Sequence, residues 1–380
     1  MKIAILGLGT VGFGVYDIIQ KSEYLENVKV KYVLDKDTSK QELVNKDTIV
    51  TTNYDEILND NEVKVIIETM GAKNFSYDCI KKALINKKSV VTANKEVIAE
   101  HIDELTKLKK DNNVSLYYEA SVGGGIPIIY PTFMASKINN ISSIKGILNG
   151  TTNFILTKMS EENYTFNDAL KLAQQLGFAE ADPTADLEGL DMVRKIAILS
   201  SICYKGEIDL NKIYHYGISN VSKEDIDFVK KNGYVLKLIA SSFKVGNDVD
   251  IRIEPSLVES SSIISKANYE FNIISLDCDV NGELVFYGKG AGRYPTANAI
   301  VNDLIMHIKN ENGYSFVNKN KLNIKESDNK AKYYIRFKEN IYINSSIIEN
   351  KENNQIITKE ISRNEFNNII NDIEFYAKVL

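Results

Sequence analysis

The first third of the 380-residue chain alternates short apolar segments with helical ones, and this alternation limits the possible folds more than any other feature. Strands that alternate with helices are typical of a parallel, doubly wound sheet, so an α/β fold is predicted. The pattern predicts strands over residues 2–6, 28–34, 63–67, 89–91 and 114–117, and helices over about 10–20 and 74–86.

A glycine-rich turn, Gly7-Leu-Gly9-Thr-Val-Gly12, follows the first strand and opens the first helix. Glycines at this spacing permit a tight turn, let a pyrophosphate approach the backbone, and let the helix pack closely on the strand. The helix N-terminus also attracts the phosphate charge. A dinucleotide site is therefore predicted, ahead of the alternative that this is an ordinary strand–helix turn.

The end of the second strand bears on which dinucleotide is bound. Asp35 suits the ribose hydroxyl of NAD, whereas a cation such as Lys36 suits the additional phosphate of NADP. The two adjacent residues argue in opposite directions, and a solvated loop would explain both. The choice between NAD and NADP stays open.

Length and charge exclude several classes of protein. The chain is long enough for two or three domains, and its net charge of −5 does not suggest binding to nucleic acid or to an anionic membrane. The sequence contains no apolar run long enough to span a bilayer and no signal-peptide pattern at its start. Three widely spaced cysteines fit a reducing compartment, so a cytoplasmic location is expected.

An acidic segment precedes a very apolar helix in the middle of the chain. Asp191 and Lys195 stand four residues apart on that helix and therefore share one face. A charged pair on an otherwise apolar stripe has to be paired, used in chemistry, or both. An exposed acidic loop is the common fate of such runs, but the turns within this one and the apolar helix after it weaken that alternative. The carboxylates of the segment are Glu180, Asp182, Asp186, Glu188 and Asp191.

Three further loops contain residues that could belong to a ligand site. Lys95 follows the predicted strand at 89–91, where α/β sheets usually hold ligands, although a surface lysine is the simpler interpretation. Glu119 precedes three consecutive glycines, which suit either a monovalent-cation site or a flexible hinge. A glycine-rich turn at residues 287–296 precedes a predicted helix over 297–308, which could return the chain to the cofactor.

After about residue 130 the strict alternation ends, and an α+β domain is predicted whose sheet serves as floor and subunit interface. Neither cysteine nor histidine stands in a nucleophile motif. Hydride transfer between an alcohol and a carbonyl needs only a proton donor to the oxygen, and lysine can fill that role. A cluster of carboxylates suits a substrate that carries an ammonium group.

These segments together resemble the homoserine dehydrogenase family from residue 1 to about residue 310. The most specific part runs from Ala173 to Lys195, where Gly177-Phe178, Asp182-Pro183, Asp186-Leu187, Gly189, Asp191 and Lys195 fall at the family's spacing. Similar matches are Asn149-Gly-Thr-Thr-Asn153-Phe-Ile155, Thr92-Ala-Asn94-Lys95, Glu119 to Pro127, and Tyr287-Gly-Lys-Gly-Ala-Gly292.

The resemblance implies reduction of L-aspartate 4-semialdehyde to L-homoserine by NADH or NADPH, a step of threonine and methionine biosynthesis. It implies Lys195 as proton donor and Asp191 and Lys95 as further catalytic residues, with Lys95 between substrate and nicotinamide. It also implies that Gly177, Glu180, Asp191 and Lys95 bind substrate, that Thr10, Val11 and Gly292 touch the cofactor beside the glycine turn, and that a structural sodium ion lies at Glu119, Val122, Gly124 and Ile126. A homodimer or homotetramer, formed through the middle domain, is implied as well.

The C-terminal part departs from the family pattern. Residues 332–337, 354–358 and 364–370 resemble pieces of an ACT regulatory domain, but the loop and helix between them are missing, so threonine feedback is in doubt. The expected organisation is a Rossmann-type domain over 1–130 completed by a helix near 293–310, a substrate-binding, catalytic and dimerisation domain over 131–292, a linker over 318–331, and a truncated ACT-like tail over 332–380. The tail is expected to pack against its own subunit or a partner.

Two other functions remain in view. One is a different NAD(P)-dependent amino-acid dehydrogenase on the same scaffold, and the other is a non-catalytic nucleotide-binding sensor. A sensor would be expected to lack Lys195 or Asp191, and this chain has both.

Overall fold

The structure, a computed structural model, describes residues 1–311, 313–314, 320–338 and 344–380. Two residues of the predicted linker, 318 and 319, lie outside this part. The helices are α1 (Thr10–Lys21), α2 (Tyr54–Asn59), α3 (Lys73–Ile85), α4 (Lys95–Asp111), α5 (Ile129–Ile138), α6 (Gly150–Glu162), α7 (Phe166–Gln175), α8 (Thr184–Leu187), α9 (Leu190–Tyr204), α10 (Lys223–Lys231), α11 (Arg293–Ile308) and α12 (Arg363–Asn367).

The strands, numbered in the same way, alternate with these helices in the first part of the chain and cluster after α10. They are β1 (Lys2–Leu6), β2 (Lys29–Leu34), β3 (Ile49–Thr51), β4 (Val63–Glu68), β5 (Ser89–Thr92), β6 (Leu116–Tyr117), β7 (Ile141–Ile147), β8 (Gly206–Glu207), β9 (Tyr214–His215), β10 (Tyr234–Val245), β11 (Asp248–Glu259), β12 (Phe271–Cys278), β13 (Gly282–Lys289), β14 (Asn320–Lys321), β15 (Tyr333–Phe337), β16 (Ile348–Glu352), β17 (Gln355–Thr358) and β18 (Ile373–Val379).

The first compact unit comprises Met1–Ile138, Ala197–Glu207 and Lys289–Lys321. Its main sheet contains six parallel strands in the order β3-β2-β1-β4-β5-β6. This is the order of Rossmann-type sheets, which bind dinucleotides where the strand order reverses. The doubly wound α/β prediction is therefore confirmed, although strand β3 and helix α2 were not predicted.

The interior of this unit explains why its strands read as continuous apolar runs. Every residue of β5 is buried, and β1 is buried from Ile3 to Leu6, as is typical of parallel strands covered on both faces. Helix α11 packs against α1 at Gly14, where an added Cβ would lie 3.1 Å from Ala297 Cβ. The glycine-rich turn after β13 thus leads into a helix of the dinucleotide-binding unit, as predicted.

The second compact unit comprises Asn139–Ile196, Ile208–Gly288 and Leu322–Leu380. Within the described residues its sheet follows the order β13-β12-β7-β10-β11-β18-β15-β17-β16, and β9 also pairs with β11. The long hairpin of β10 and β11 runs through its centre and turns between Val245 and Asp248. Mixed strand directions with helices in one unit agree with the predicted α+β character.

The described tail strands continue this same sheet. Strand β18 pairs in parallel with β11, and β15 pairs antiparallel with β18. Seven buried residues of the tail form a core cluster of their own: Tyr333, Ile335, Phe337, Ile356, Ile361, Phe366 and Tyr376. The predicted packing of the tail against its own subunit is thus observed within the second unit, while its kinship to an ACT domain stays a prediction.

Among the described helices, none is both long and apolar enough to cross a membrane.

Candidate active site

The glycine turn after β1 has the geometry predicted for a dinucleotide cradle. Gly7 adopts a left-handed φ of +92°, and a Cβ added to Gly12 would lie only 1.9 Å from the carbonyl oxygen of Gly7. At Gly9, by contrast, an added Cβ would meet nothing within 4 Å, which leaves space beside the backbone. Helix α1 begins at Thr10, so the amides of Thr10 and Val11 belong to its unsatisfied first turn.

Asp35 lies directly against this turn. Its Oδ2 accepts from the amide of Leu8 at 2.8 Å and from Lys40 Nζ at 2.7 Å, and its Oδ1 accepts from the amide of Asp37. Burial raises the pKa of Asp35, but these three hydrogen bonds outweigh it and lower the pKa below its usual value. Lys36 is exposed. Lys40, which the sequence analysis missed, forms an ion pair with Asp35.

A buried carboxylate organises the loop that carries Lys95. Glu68 at the end of β4 is fully buried and accepts from the amide of Met70, from Ser76 Oγ and from Thr92 Oγ1 at 2.6–2.8 Å. Thr92 Oγ1 in turn accepts from the amide of Asn94, whose side chain caps α4. Lys95 is the half-buried first residue of that helix. Sequence analysis missed Glu68, because a single glutamate just after the predicted strand at 63–67 carries no sequence signal of its own.

The Glu119 loop is held by a buried polar network. The Glu119 carboxylate accepts from the backbone amides of Ile128, Ile129 and Tyr130 at 2.6–2.8 Å, and its Oε2 lies 3.1 Å from Tyr314 Oη. The single hydroxyl proton of Tyr314 is donated to Asp303 at 2.6 Å, and Asp303 also accepts from the Glu119 amide. Burial raises the pKa of Glu119, and it raises that of Asp303 well above its usual range.

This network limits what a cation could use here. Because three backbone amides already donate to the Glu119 carboxylate and Tyr314 Oη lies against it, hard oxygen ligands at this loop would have to come from backbone carbonyls, such as those of Val122, Gly124 and Ile126. Gly124 has a φ of +56°, and an added Cβ would lie 2.4 Å from the carbonyl oxygen of Gly290. Among the described residues no group of three or more His, Cys, Asp and Glu could hold a metal ion.

The turn before α11 also contains a glycine in a conformation that other residues rarely adopt. Gly292 has a φ of +122° and stands at the N-terminus of α11. The amide of Gly125 donates to the carbonyl of Lys289 at 3.0 Å, which fastens this turn to the Glu119 loop.

The acidic segment leads into an ion pair, Lys195 with Asp191, that is largely shielded from water. Lys195 Nζ donates to Asp191 Oδ2 and to the backbone carbonyl of Leu148, both at 2.7 Å. Both charged side chains are about one-tenth exposed, at 11% for Lys195 and 10% for Asp191. The predicted pair is therefore observed, and an ammonium group with little solvent around it is able to donate a proton to a bound oxygen.

The other acidic side chains are placed differently. Asp186 accepts from Asn149 Nδ2 at 2.6 Å, whereas Asp182 accepts from the backbone and side chain of Thr184 and so supports the start of α8. Glu180 lies on the exposed loop that follows Gly177, whose φ of +76° makes the turn. Asn149 was predicted only as part of a turn and a resemblance, and the structure places it against Asp191 as well.

The second asparagine of that segment has an architectural role. Asn153 Nδ2 donates to the carbonyls of Ala267, Tyr269 and Phe271, and its Oδ1 accepts from the buried Lys237 Nζ at 2.9 Å. Burial lowers the pKa of Lys237 to about 8. Helix α6 is therefore tied to the loop before β12 at one position and to the acidic segment at another.

Family models match most of the chain. The homoserine dehydrogenase family model matches residues 127–305, and the model of the family's NAD binding domain matches residues 7–119. A homoserine dehydrogenase of Bacillus subtilis (strain 168) is 40% identical over 318 residues, which are 82% of this chain and 73% of the relative.

Solved structures are similar over most of the chain. A homoserine dehydrogenase from Thiobacillus denitrificans has a TM-score of 0.90 at 27% identity, covering 100% of this chain and 98% of that one. A hyperthermophilic archaeal homoserine dehydrogenase mutant in complex with NADPH has a TM-score of 0.70 at 27% identity, covering 82% of this chain and 99% of that one. The chain belongs to the homoserine dehydrogenase family of NAD(P)-dependent oxidoreductases.

Proposed function

We propose that this chain reduces L-aspartate 4-semialdehyde to L-homoserine with Lys195 as the proton donor to the carbonyl oxygen. The observation that supports this role is the position of Lys195 Nζ, which Asp191 and the carbonyl of Leu148 hold at 2.7 Å with little exposure to water. Asp191 and the Leu148 carbonyl hold the ammonium group in place, and the ammonium group carries the proton to be donated. The nicotinamide cofactor supplies the hydride when bound.

The same proposal assigns the substrate contacts. Glu180 pairs with the substrate ammonium, Asp191 binds substrate beside Lys195, and Gly177 contributes its backbone. Lys95 lies between substrate and nicotinamide and takes part in catalysis. The support is chemical, since carboxylates suit an ammonium group and Gly177 exposes its backbone at a left-handed turn.

For the cofactor we propose contacts from the glycine turn, Gly7, Gly9, Thr10, Val11 and Gly12, and from Asp35, Lys36, Lys95 and Gly292. The residues fit such a ligand, because Gly9 leaves open space and the first turn of α1 presents unsatisfied amides. Asp35 would accept from the adenosine ribose of NAD, while Lys36 and Lys40 would pair with the additional phosphate of NADP. Both coenzymes are therefore included in the proposal.

The proposal also covers a bound cation, the oligomeric state, the location and the domains. A sodium ion at the loop of Glu119, Val122, Gly124 and Ile126 would take backbone carbonyl oxygens, which fit a hard cation. We also propose a homodimer or homotetramer, a cytoplasmic location consistent with three free buried cysteines, and a role in threonine and methionine biosynthesis. The division into domains at 1–130 and 131–292, followed by a linker and tail, belongs to the same proposal.

Steady-state kinetics of the full chain with aspartate semialdehyde test the proposal, with NADH and NADPH assayed in parallel. We expect turnover with the wild type and, for Lys195→Ala, a kcat lower by about 10²-fold with unchanged coenzyme binding, the usual range for a lost acid–base group. Lys158→Ala is the matched control. Lys158 also pairs with an acid four residues away, Glu162, and both residues lie on α6 rather than on α9. Near-normal turnover of Lys195→Ala would contradict its role.

A panel of other amino-acid substrates separates the alternatives. Turnover of a different amino acid with no activity on the semialdehyde would favour another amino-acid dehydrogenase. Coenzyme binding without turnover of any substrate would favour a sensor.

A further inference from the structure

Asn149 joins parts of the acidic segment that are far apart in sequence. It follows strand β7 and caps helix α6, where its Oδ1 accepts from the amide of Thr152 at 2.9 Å. Its Nδ2 donates to Asp186 Oδ1 at 2.6 Å and to Asp191 Oδ2 at 3.0 Å. One buried amide therefore contacts both the short helix α8 and the first turn of α9.

The two carboxylates that contact Asn149 are both negatively charged. Two carboxylates that meet at one point repel each other unless a donor or a cation lies between them. The amide of Asn149 has two N–H protons, which is one for each carboxylate. Asp191 Oδ2 also accepts from Lys195 Nζ, so the same oxygen lies between the amide and the ammonium group.

Helix capping alone does not require an asparagine here. Serine, threonine and aspartate cap helices as well as asparagine does, because each offers a side-chain oxygen. Serine has only one proton to donate, and aspartate would add a third negative charge. Asparagine alone among the good caps supplies two donors from the same side chain.

The neighbouring residue serves the same lysine. The carbonyl of Leu148 accepts from Lys195 Nζ, and Asn149 is the next residue in the chain. The end of β7 thus holds Lys195 directly through a backbone carbonyl and indirectly through Asp191. Any movement of Asn149 would change both of these contacts.

We propose that Asn149 is a positioning residue of the catalytic site, which bridges Asp186 and Asp191 and thereby fixes Asp191 against Lys195. This inference rests on the proposed roles of Lys195 and Asp191. It also gives Asp186 a role, as the second anchor of the Asn149 amide.

Asn149→Ser is the first test, because serine keeps the helix cap and removes the bridge. We expect kcat with aspartate semialdehyde to fall about tenfold, in keeping with the loss of a hydrogen bond to a charged group, while the Kd for NADPH stays within twofold. Asn344→Ser is the matched control, since Asn344 is an exposed residue that caps a short turn at Ser345–Ile347 in the tail. A kcat within twofold of wild type for Asn149→Ser would overturn the proposal.

Asn149→Asp gives a readout of how well Lys195 is placed. It keeps the cap but puts a third carboxylate beside Asp186 and Asp191, which repels Asp191 from its place against Lys195. We expect kcat to fall at least as far as in Asn149→Ser and the solvent deuterium isotope effect on kcat to rise, because proton transfer from a displaced Lys195 slows. A kcat and an isotope effect equal to those of wild type in the folded variant would overturn the proposal.

Two controls separate this inference from the proposed function. Wild-type turnover of aspartate semialdehyde, together with its loss in Lys195→Ala, tests the function independently of Asn149. If both behave as expected while Asn149→Ser and Asn149→Asp match wild type, only the positioning role fails. If wild type shows no turnover of the semialdehyde, the proposed function itself fails.

Discussion

Replacing Glu68 by glutamine tests whether one buried carboxylate holds the loop of Lys95 in place. Glu68 accepts three hydrogen bonds within the first unit, and the last of its donors, Thr92, connects it to Asn94 and the start of α4. Glutamine has nearly the same size but carries one acceptor oxygen and one donor nitrogen. The substitution therefore changes hydrogen bonding without opening a cavity.

The contacts determine the size of the effect. If the new amide nitrogen faced Met70 and Ser76, it would meet two donors, so the better orientation turns it toward Thr92. Thr92 Oγ1 already accepts from the Asn94 amide, and its own proton would then lose its acceptor. Leaving one buried polar group unsatisfied costs about 1–3 kcal/mol. We expect Glu68→Gln to lower the free energy of unfolding by that amount.

The substitution is expected to affect coenzyme binding and turnover as well as stability. Because Asn94 caps α4 immediately before Lys95, loosening Thr92 is expected to weaken NADPH binding and to lower kcat/KM. Urea unfolding followed by circular dichroism gives the stability, and the fluorescence of bound NADPH gives its Kd. Glu42→Gln, at an exposed glutamate of the same unit, is the control and should change stability by less than about 0.5 kcal/mol.

One result would refute this reasoning. If Glu68→Gln unfolds at the same urea concentration as wild type and binds NADPH equally well, the Glu68–Thr92 contact does not determine the loop.

Three further outcomes are expected. Gly12→Ala should abolish coenzyme binding or folding of the first unit, because its Cβ would lie 1.9 Å from the Gly7 carbonyl oxygen, and NADPH titration with circular dichroism checks this. Phe366→Ala should lower the free energy of unfolding by about 3–5 kcal/mol, since the fully buried ring stacks on Tyr333, and urea unfolding should show the loss. Burial raises the pKa of Asp303, so its contribution to stability is greatest below the ordinary carboxyl pKa and declines as pH rises toward the raised value. Asp303→Asn should make that decline smaller in melting curves from pH 5 to 8; an equally steep decline would contradict it.

Local sequence patterns predicted the features that depend on neighbouring residues. The spacing of Gly7, Gly9 and Gly12 after an apolar strand predicted the cradle, and the spacing of Asp191 and Lys195 predicted their ion pair. Both rest on geometry that the backbone sets within a few residues. Strand β3 was missed because its three residues carry too short a pattern to detect.

Long-range contacts were not visible in the sequence. Asn149 meets Asp186 and Asp191 across 37 and 42 residues, and Asp303 meets the Glu119 amide across 184. Hydrophobic periodicity along the sequence does not predict such contacts, because they depend on the order of the strands in the sheet. Two tail segments, 332–337 and 354–358, were predicted and correspond to β15 and β17, whereas β16 and β18 were not predicted. The continuation of the β11 sheet into the tail depends on the pairing of β18 and was not foreseen.

The position of β18 has a consequence for how the second unit assembles. Strands β15, β16 and β17 precede β18 along the chain, yet β18 lies between them and β11 in the sheet. During synthesis these strands would therefore have to wait for residues 373–379 to leave the ribosome before they could join the sheet. Until then, the part of the β11 edge near Ser256 and Leu257, beyond the residues that β9 pairs, presents unpaired backbone donors and acceptors, which are a template for aggregation. A nascent chain that stalls shortly before β18 should consequently depend on chaperones more than one that stalls before β10.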